Sequence, residues 1–174
     1  MLFRSLAARD EGRDPHVAQQ RLLAAALPGT RAEIVARAVD FRVPHRRVLF
    51  EMLPPLGESG LLATLVADPA DPDRMAALLV LAETRPGAVP DDDLVAALRG
   101  PDRACRCRAL YLVRARGLLD RLAVGELVDM ARAGDPALCY AAIDCLDRVS
   151  DPAGRAALDV LAREPDDRIG PSAR

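Results

Sequence analysis

Three similar stretches of sequence decide the fold: DPDRMAALLVL at residues 71–81, PDRACRCRALYLV at residues 101–113 and DPALCYAAIDCL at residues 135–146. They align at steps of 32 and 33 residues when they are superposed on Ala77, Ala109 and Ala142. Apolar residues follow these alanines one and four positions later in every copy. A period of this length is typical of stacked helical repeats, which bury their apolar faces against their neighbours.

A second register predicts a partner helix for each stretch. Leucines recur at intervals of 32, 33 and 31 residues, at Leu62, Leu94, Leu127 and Leu158. This register starts the stack near residue 30, and the alternation typical of strands is not found. We therefore predict an all-α fold, a right-handed α-solenoid of eight or nine helices in antiparallel pairs. It forms a single domain over residues 1–164, with clear repeats at 71–164, weaker repeats at 15–70 and a flexible tail at 165–174.

Proline and glycine positions divide the chain into helical segments. Pro15 and Pro44 suit first helical turns, whereas Pro28–Gly29 and Pro54–Pro55 suit helix ends. The predicted helices cover residues 15–27, 31–41, 44–53, 59–67, 72–85, 91–99, 102–116, 121–133, 136–149 and 153–163, with a weaker one at 2–9.

Composition bounds the function classes. The chain has 174 residues and a net charge of −2, so no global charge attracts it to nucleic acid or an anionic membrane. All 24 basic residues are arginine. No apolar run approaches the ~20 residues that a transmembrane helix needs, so we expect a cytoplasmic protein with reduced cysteines.

The central copy carries a family resemblance. Asp102, Arg106, Ala109 and Val113 follow the Asp–Arg–Ala–Leu spacing of short bacterial HEAT-like repeats, which the chain resembles over about residues 30–164. The resemblance implies an α-solenoid in which the helices with the Arg-x-x-Ala element line the concave face. It also implies a structural role for the aspartate and the arginine, which join neighbouring turns. It does not define a function, because such arrays serve many unrelated tasks.

The other two copies depart from this spacing. The copy at Asp135 has Cys139 at the arginine position. The copy near Asp71 keeps Arg74, but its aspartate is one place out of register.

A run of arginines is the strongest local charge feature. Near it in sequence only Asp102 and Asp120 are acidic, while the run itself comprises Arg99, Arg103, Arg106, Arg108, Arg114, Arg116 and Arg121. If the helix at 102–116 is concave, the run places positive charge in the groove, where an anionic partner could bind through bidentate guanidinium contacts. The alternative is a solvated helix face with one structural arginine.

Tyr111 and Tyr140 are the only tyrosines, and both fall on helices expected to line the groove. Tyrosine and arginine are frequent anchors of protein interfaces. The alternative is that each tyrosine fills a gap between helices and leaves its hydroxyl at the rim.

Other polar clusters have structural explanations. Cys105, Cys107, Cys139 and Cys145 lack the spacing of a zinc site and suit small buried positions. His16 and His45 have no evident nucleophile partner. The acidic run at 91–93 follows Pro90, where carboxylates cap a helix N-terminus. We therefore expect no metal site, no cofactor and no catalytic residues.

These observations predict a non-catalytic scaffold that binds another protein or a peptide in its concave groove. The predicted contact residues are Arg106, Arg108, Tyr111, Arg114, Tyr140 and Asp144. One alternative is a nucleic-acid-binding or glycosylase-like HEAT array, which the acidic neighbours of the arginine run and the absence of Trp make less favourable. Another is an accessory factor for cofactor attachment, since HEAT-like bilin lyases resemble this array. The sequence does not indicate an oligomeric state.

Overall fold

The computed structural model of the chain describes residues 28–43 and 46–164. Within these ranges every regular element is a helix, and no strand is present, which confirms the predicted all-α class. The nine α-helices are α1 (Pro28–Val39), α2 (Arg47–Phe50), α3 (Ser59–Ala67), α4 (Arg74–Thr84), α5 (Asp91–Ala97), α6 (Arg103–Ala115), α7 (Val124–Ala131), α8 (Pro136–Arg148) and α9 (Pro152–Leu161). Short 3-10 helices lie at Pro86–Ala88 and Leu119–Arg121.

Several predictions fall on other parts of the chain. The helices at 2–9 and 15–27, the positions of Pro15, His16, Pro44 and His45, and the tail at 165–174 lie outside the described residues.

The chain divides into two compact units, Met1–Pro86 and Gly87–Arg174. In the first unit, α3 packs on α4, and α2 contacts both α1 and α4. In the second unit, α6 packs between α5 and α8, while α8 also packs on α7 and α9, which contact each other. The single domain over residues 1–164 stays a prediction.

The aligned positions form the core of the helix pairs. The three superposed alanines have no exposed surface, and the apolar residues that follow them are buried: Leu78, Leu81, Leu110, Val113, Ile143 and Leu146. The leucines of the second register are also buried at Leu62, Leu94, Leu127 and Leu158. The sequence period therefore reflects helix packing, because small and branched side chains recur at the positions where helices meet.

Aspartate caps fix the start of three helices. The carboxylates of Asp102, Asp135 and Asp151 accept backbone N–H groups in the first turns of α6, α8 and α9. Such caps satisfy donors that have no partner inside the helix. Asp73 stands at the corresponding place before α4, but its carboxylate makes no cap and pairs with arginines instead.

Two helices differ most from their predicted lengths. The helix at 44–53 is reduced to the four residues of α2, because Pro54 has no N–H to continue it and the chain tightens into i→i+3 bonds at Met52 and Leu53. The helix at 121–133 starts only at Val124, since Leu122 and Ala123 are extended and Glu126 accepts the Ala123 N–H at 3.3 Å.

Gly117 and Gly154 are both required by the backbone of the second unit. Gly117 has φ +69° directly after α6, and Leu118 N–H bonds to the Val113 carbonyl, which closes the helix as a Schellman cap. A Cβ on Gly154 would lie 2.8 Å from the Leu146 carbonyl oxygen, so α9 can approach α8 this closely only with glycine there.

Within residues 28–43 and 46–164, each helix is too short or too polar to cross a bilayer.

Candidate functional site

Two exposed tyrosines mark one side of the second unit. Tyr111 on α6 is 54% exposed, and Tyr140 on the neighbouring helix α8 is 58% exposed. The alternative that they fill gaps between helices is therefore wrong. Exposed aromatic side chains leave apolar surface in contact with water and do not contribute to the core. Such side chains are enriched at protein interfaces.

An ion pair joins α6 to α8 beside these tyrosines. Arg114 donates from Nη1 to Oδ2 of Asp144, and Arg148 donates to Oδ1 of the same carboxylate at 3.2 Å. The Arg114 guanidinium carbon lies 5.3 Å from the centre of the Tyr111 ring. We call these four residues, Tyr111, Arg114, Asp144 and Arg148, the Arg114 cluster.

The arginines of the cluster lower the pKa of Asp144. Partial burial raises the pKa of Asp144, but the hydrogen bonds and charges of Arg148 and Arg114 outweigh burial and hold the pKa below its usual value. Asp144 is therefore ionised at neutral pH and fixes the Arg114 guanidinium against the Tyr111 ring.

A hollow of about 580 Å³ lies next to the cluster, between α6 and the start of α8. It is lined by Arg103, Ala104, Cys107, Arg108, Tyr111, Asp135 and Ala137. Burial raises the pKa of the Cys107 thiol, and the charge of Asp135 raises it further. The thiol is therefore protonated and neutral near pH 7, which makes it a poor nucleophile.

The hollow and the cluster belong to one surface. On α6, residues 103, 107, 111 and 114 follow helical spacing on one side, and on α8, residues 137, 140 and 144 do the same. The Arg114–Asp144 pair joins the two sides. We call this surface, formed by the hollow, the Arg114 cluster and Tyr140, the α6–α8 face.

The structure brings five of the six predicted contact residues to this face: Arg108, Tyr111, Arg114, Tyr140 and Asp144. Arg106 is the exception, because it neither lines the hollow nor belongs to the Arg114 cluster. Its Nε is buried and has no hydrogen-bond partner. One turn along α6 from Asp102, Arg106 occupies the position at which the HEAT resemblance implies a structural arginine.

Most of the arginine run is neutralised by distant carboxylates, which the sequence neighbourhood does not show. Arg99 pairs with Glu126, Arg114 with Asp144, Arg116 with Asp91 and Arg121 with Asp92. The expectation that Asp102 and Asp120 alone offset the run is wrong. Two other arginines of the run, Arg103 and Arg108, line the hollow.

The acidic run at 91–93 has a different role from the predicted one. Its residues occupy the first turn of α5, but none caps the helix through its side chain. Asp91 instead accepts from Arg116, and Asp92 accepts from Arg121. The run thus fastens α5 to the end of α6 and to the 3-10 helix that follows it.

A second arginine cluster, in the first unit, is absent from the sequence predictions. Arg46 is 1% exposed and pairs with the carboxylates of Asp71 and Asp73. It also donates to the Ala38 carbonyl at 3.3 Å, and its guanidinium carbon lies 5.4 Å from the Phe50 ring centre. Arg47 adds a further contact to Asp73. We call Arg46, Arg47, Phe50, Asp71 and Asp73 the Arg46 cluster.

Burial of Asp73 raises its pKa, but the hydrogen bonds and charges of Arg46 and Arg47 outweigh this effect and hold the pKa below its usual value. The cluster explains why the aspartate near residue 71 is out of register. Asp71 and Asp73 bind Arg46, and the Asp73 carboxylate does not cap α4.

Repeat spacing is the signal that could have found such pairs. Arg31 contacts Glu58 and Arg99 contacts Glu126, in both cases 27 residues apart and with an Nε–Oε1 distance of 3.1 Å. Arg132 contacts Glu164 in the same manner at 3.0 Å. An arginine followed by an acidic residue about one repeat later is therefore a recurrent link between helix pairs.

The cysteines and acidic residues do not assemble a metal centre in the part of the chain that the structure describes. No three of its His, Cys, Asp and Glu side chains form a group that could hold an ion. Cys105, Cys139 and Cys145 are buried and form no disulfide, and burial raises the pKa of Cys145 to about 11.

Comparison of the chain with protein-family models, curated proteins and solved structures gives no match.

Proposed function

We propose that the chain is a non-catalytic binding module, a short α-solenoid of HEAT-like helix pairs that binds another protein through the α6–α8 face. The observation that carries the proposal is the pair of exposed tyrosines on neighbouring helices that an ion pair joins. Aromatic and arginine side chains together are the usual anchors of protein interfaces.

The packing of the second unit supports the solenoid part of the proposal. α6 and α8 lie side by side, as do α7 and α9, and α8 packs on both members of the other pair. This is the nearest-neighbour packing expected of a repeat array. The recurrent arginine–glutamate links and the buried register positions support the same arrangement.

The chemistry of the face supports binding rather than catalysis. Its thiol is protonated at neutral pH, and its central carboxylate is held by two arginines. An activated cysteine nucleophile needs a lowered pKa or an adjacent base, whereas the pKa of Cys107 is raised.

The distribution of charge favours a protein partner over nucleic acid. Phosphate tracking needs many unneutralised basic groups along one surface. Here Asp135 and Asp144 interrupt the arginines of the face, and Arg99, Arg116 and Arg121 are paired elsewhere.

Site-specific photo-crosslinking tests the proposal. A photoreactive phenylalanine analogue would replace Tyr111 or Tyr140 in the full chain, expressed in the cells from which it comes. The matched control is Val160 on α9, which is 53% exposed and is not one of the residues of the face. We expect one discrete protein adduct from positions 111 and 140 and none from 160. An adduct with nucleic acid, or equal protein labelling at all three positions, would overturn the proposal.

A further inference from the structure

We infer that the hollow of the α6–α8 face binds an acidic segment of the partner, in which an apolar side chain is adjacent to an aspartate or glutamate. The inference rests on the proposed function, since it names the chemistry of the partner at the same face.

The charge of the hollow is the first argument. Arg103 and Arg108 line it from α6, whereas Asp135 is the single carboxylate among the lining residues. Asp135 accepts the Leu138 backbone N–H at 3.0 Å, so its charge already serves the N-terminus of α8. Arg103 is exposed, and in the described part of the chain its guanidinium forms no ion pair. A carboxylate from a partner would pair with the Arg103 guanidinium through bidentate hydrogen bonds.

The floor of the hollow is the second argument. Ala104, Cys107 and Ala137 are small and carry no charge near neutral pH, so they leave space for an incoming apolar side chain. The volume of about 580 Å³ exceeds what one side chain fills, and it lies within the ~300–1,000 Å³ typical of ligand pockets.

Tyr111 belongs both to the lining of the hollow and to the Arg114 cluster. Its ring is fixed by the Arg114 guanidinium at 5.3 Å, so little side-chain entropy is lost when a partner packs on it. Its hydroxyl stays available to the backbone of a bound segment. An apolar residue over the alanines and a carboxylate at Arg103 would therefore be held by adjacent contacts.

Selection from a displayed library of random 12-residue peptides tests the inference. We expect the peptides retained by the purified full chain to be enriched in Asp or Glu next to an apolar residue. Arg103→Glu should weaken the binding of a selected acidic peptide about tenfold, since an attractive contact becomes repulsive. Replacement of the acidic residue of the peptide by lysine should restore binding to that variant.

Arg163→Glu is the matched control, because Arg163 is exposed, follows α9 and does not line the hollow. It should leave peptide affinity unchanged. Circular dichroism of both variants would show that the helices are intact.

The possible failures are distinguishable. Peptides that need Tyr111 and Tyr140 but show no acidic enrichment, or bind Arg103→Glu as tightly as the parent, would overturn the inference and leave the proposed function in place. No enriched peptide, preferential binding of single-stranded or duplex DNA, or a dimer in sedimentation that Arg103→Glu dissociates would also overturn it. The photo-crosslinking result decides the proposed function separately.

Discussion

The two units use the same chemical groups in opposite environments. The Arg46 cluster and the Arg114 cluster each join a guanidinium to carboxylates and to an aromatic ring, at 5.4 and 5.3 Å respectively. Arg46 is 1% exposed, whereas the Arg114 side chain is 32% exposed and its ring belongs to a tyrosine that faces solvent. The two clusters therefore differ in solvent exposure: the Arg46 guanidinium is buried in the first unit, and the Arg114 cluster is open to solvent.

The difference follows from the physics of ion pairs. A buried charge that loses its partner has no water to replace it, so breaking a buried pair costs several kcal/mol. An exposed pair exchanges its partner for water at little cost. The same substitution in the two clusters should therefore have very different effects.

Arg46→Ala should give the largest effect. The change leaves Asp71 and Asp73 without their shared guanidinium and opens a cavity beside Phe50, so we expect the free energy of unfolding to fall by about 3–5 kcal/mol. Urea denaturation followed by circular dichroism measures it. Arg47→Ala is the control, because Arg47 is exposed and shares the Asp73 contact; a loss as large as that of Arg46→Ala would contradict the assignment.

Asp73→Asn should give an intermediate effect, with a loss of about 1–3 kcal/mol at neutral pH, because Arg46 keeps Asp71 as a partner. The pKa of Asp73 in the folded chain lies below its usual value. The contribution of Asp73 to the free energy of unfolding is therefore fully present above its pKa in the unfolded chain. It is lost as the pH falls through its pKa in the folded chain. Denaturation midpoints between pH 7 and pH 2.5 should show the parent losing stability below about pH 4. The variant should lose less, and parallel pH profiles would argue against the pair.

Arg114→Ala should have a small effect on folding, of about 0–1 kcal/mol, since the guanidinium is partly solvated and Asp144 keeps Arg148. Its effect should instead appear in partner binding, because Tyr111 loses the group that orients it. A thermal melt and a binding titration on the same sample separate the two. A loss of stability close to that of Arg46→Ala would remove the distinction between the clusters.

The combined change Tyr111→Ala and Tyr140→Ala should have the smallest effect on stability, within about 0.5 kcal/mol, because both side chains are mainly exposed. The substitutions should increase the solubility of the free chain by removing apolar surface. Static light scattering at increasing concentration measures this, and a cooperative loss of folding would show that the tyrosines belong to the core.

Much of the fold could be predicted, because apolar periodicity reports local packing. The helix at 59–67 is found with the predicted bounds, and Ala77, Ala109 and Ala142 are buried as their register requires. The apolar pattern of each helix also placed Tyr111 and Tyr140 on two neighbouring helices, α6 and α8. The helix starts at 91 and 136 follow from turn residues in the sequence.

The ion-pair network could not be predicted from local sequence. Arg46 reaches Asp71 and Asp73, and Arg121 reaches Asp92, across 25 to 29 residues. Such contacts depend on how adjacent helix pairs pack, and a charge count near each arginine does not contain that information. This is why the sequence suggested a broad positive surface, whereas four arginines of the run pair with carboxylates about one repeat away.

The most direct test of the account is to measure binding and folding on the same variants. The photo-crosslinked partner would be titrated, by calorimetry, into the parent and into the Tyr111→Ala, Arg114→Ala double variant, with unfolding measured on each sample. The account predicts binding at least about tenfold weaker, which corresponds to about 1.4 kcal/mol, with the free energy of unfolding changed by less than that. Unchanged affinity in a folded double variant would contradict it.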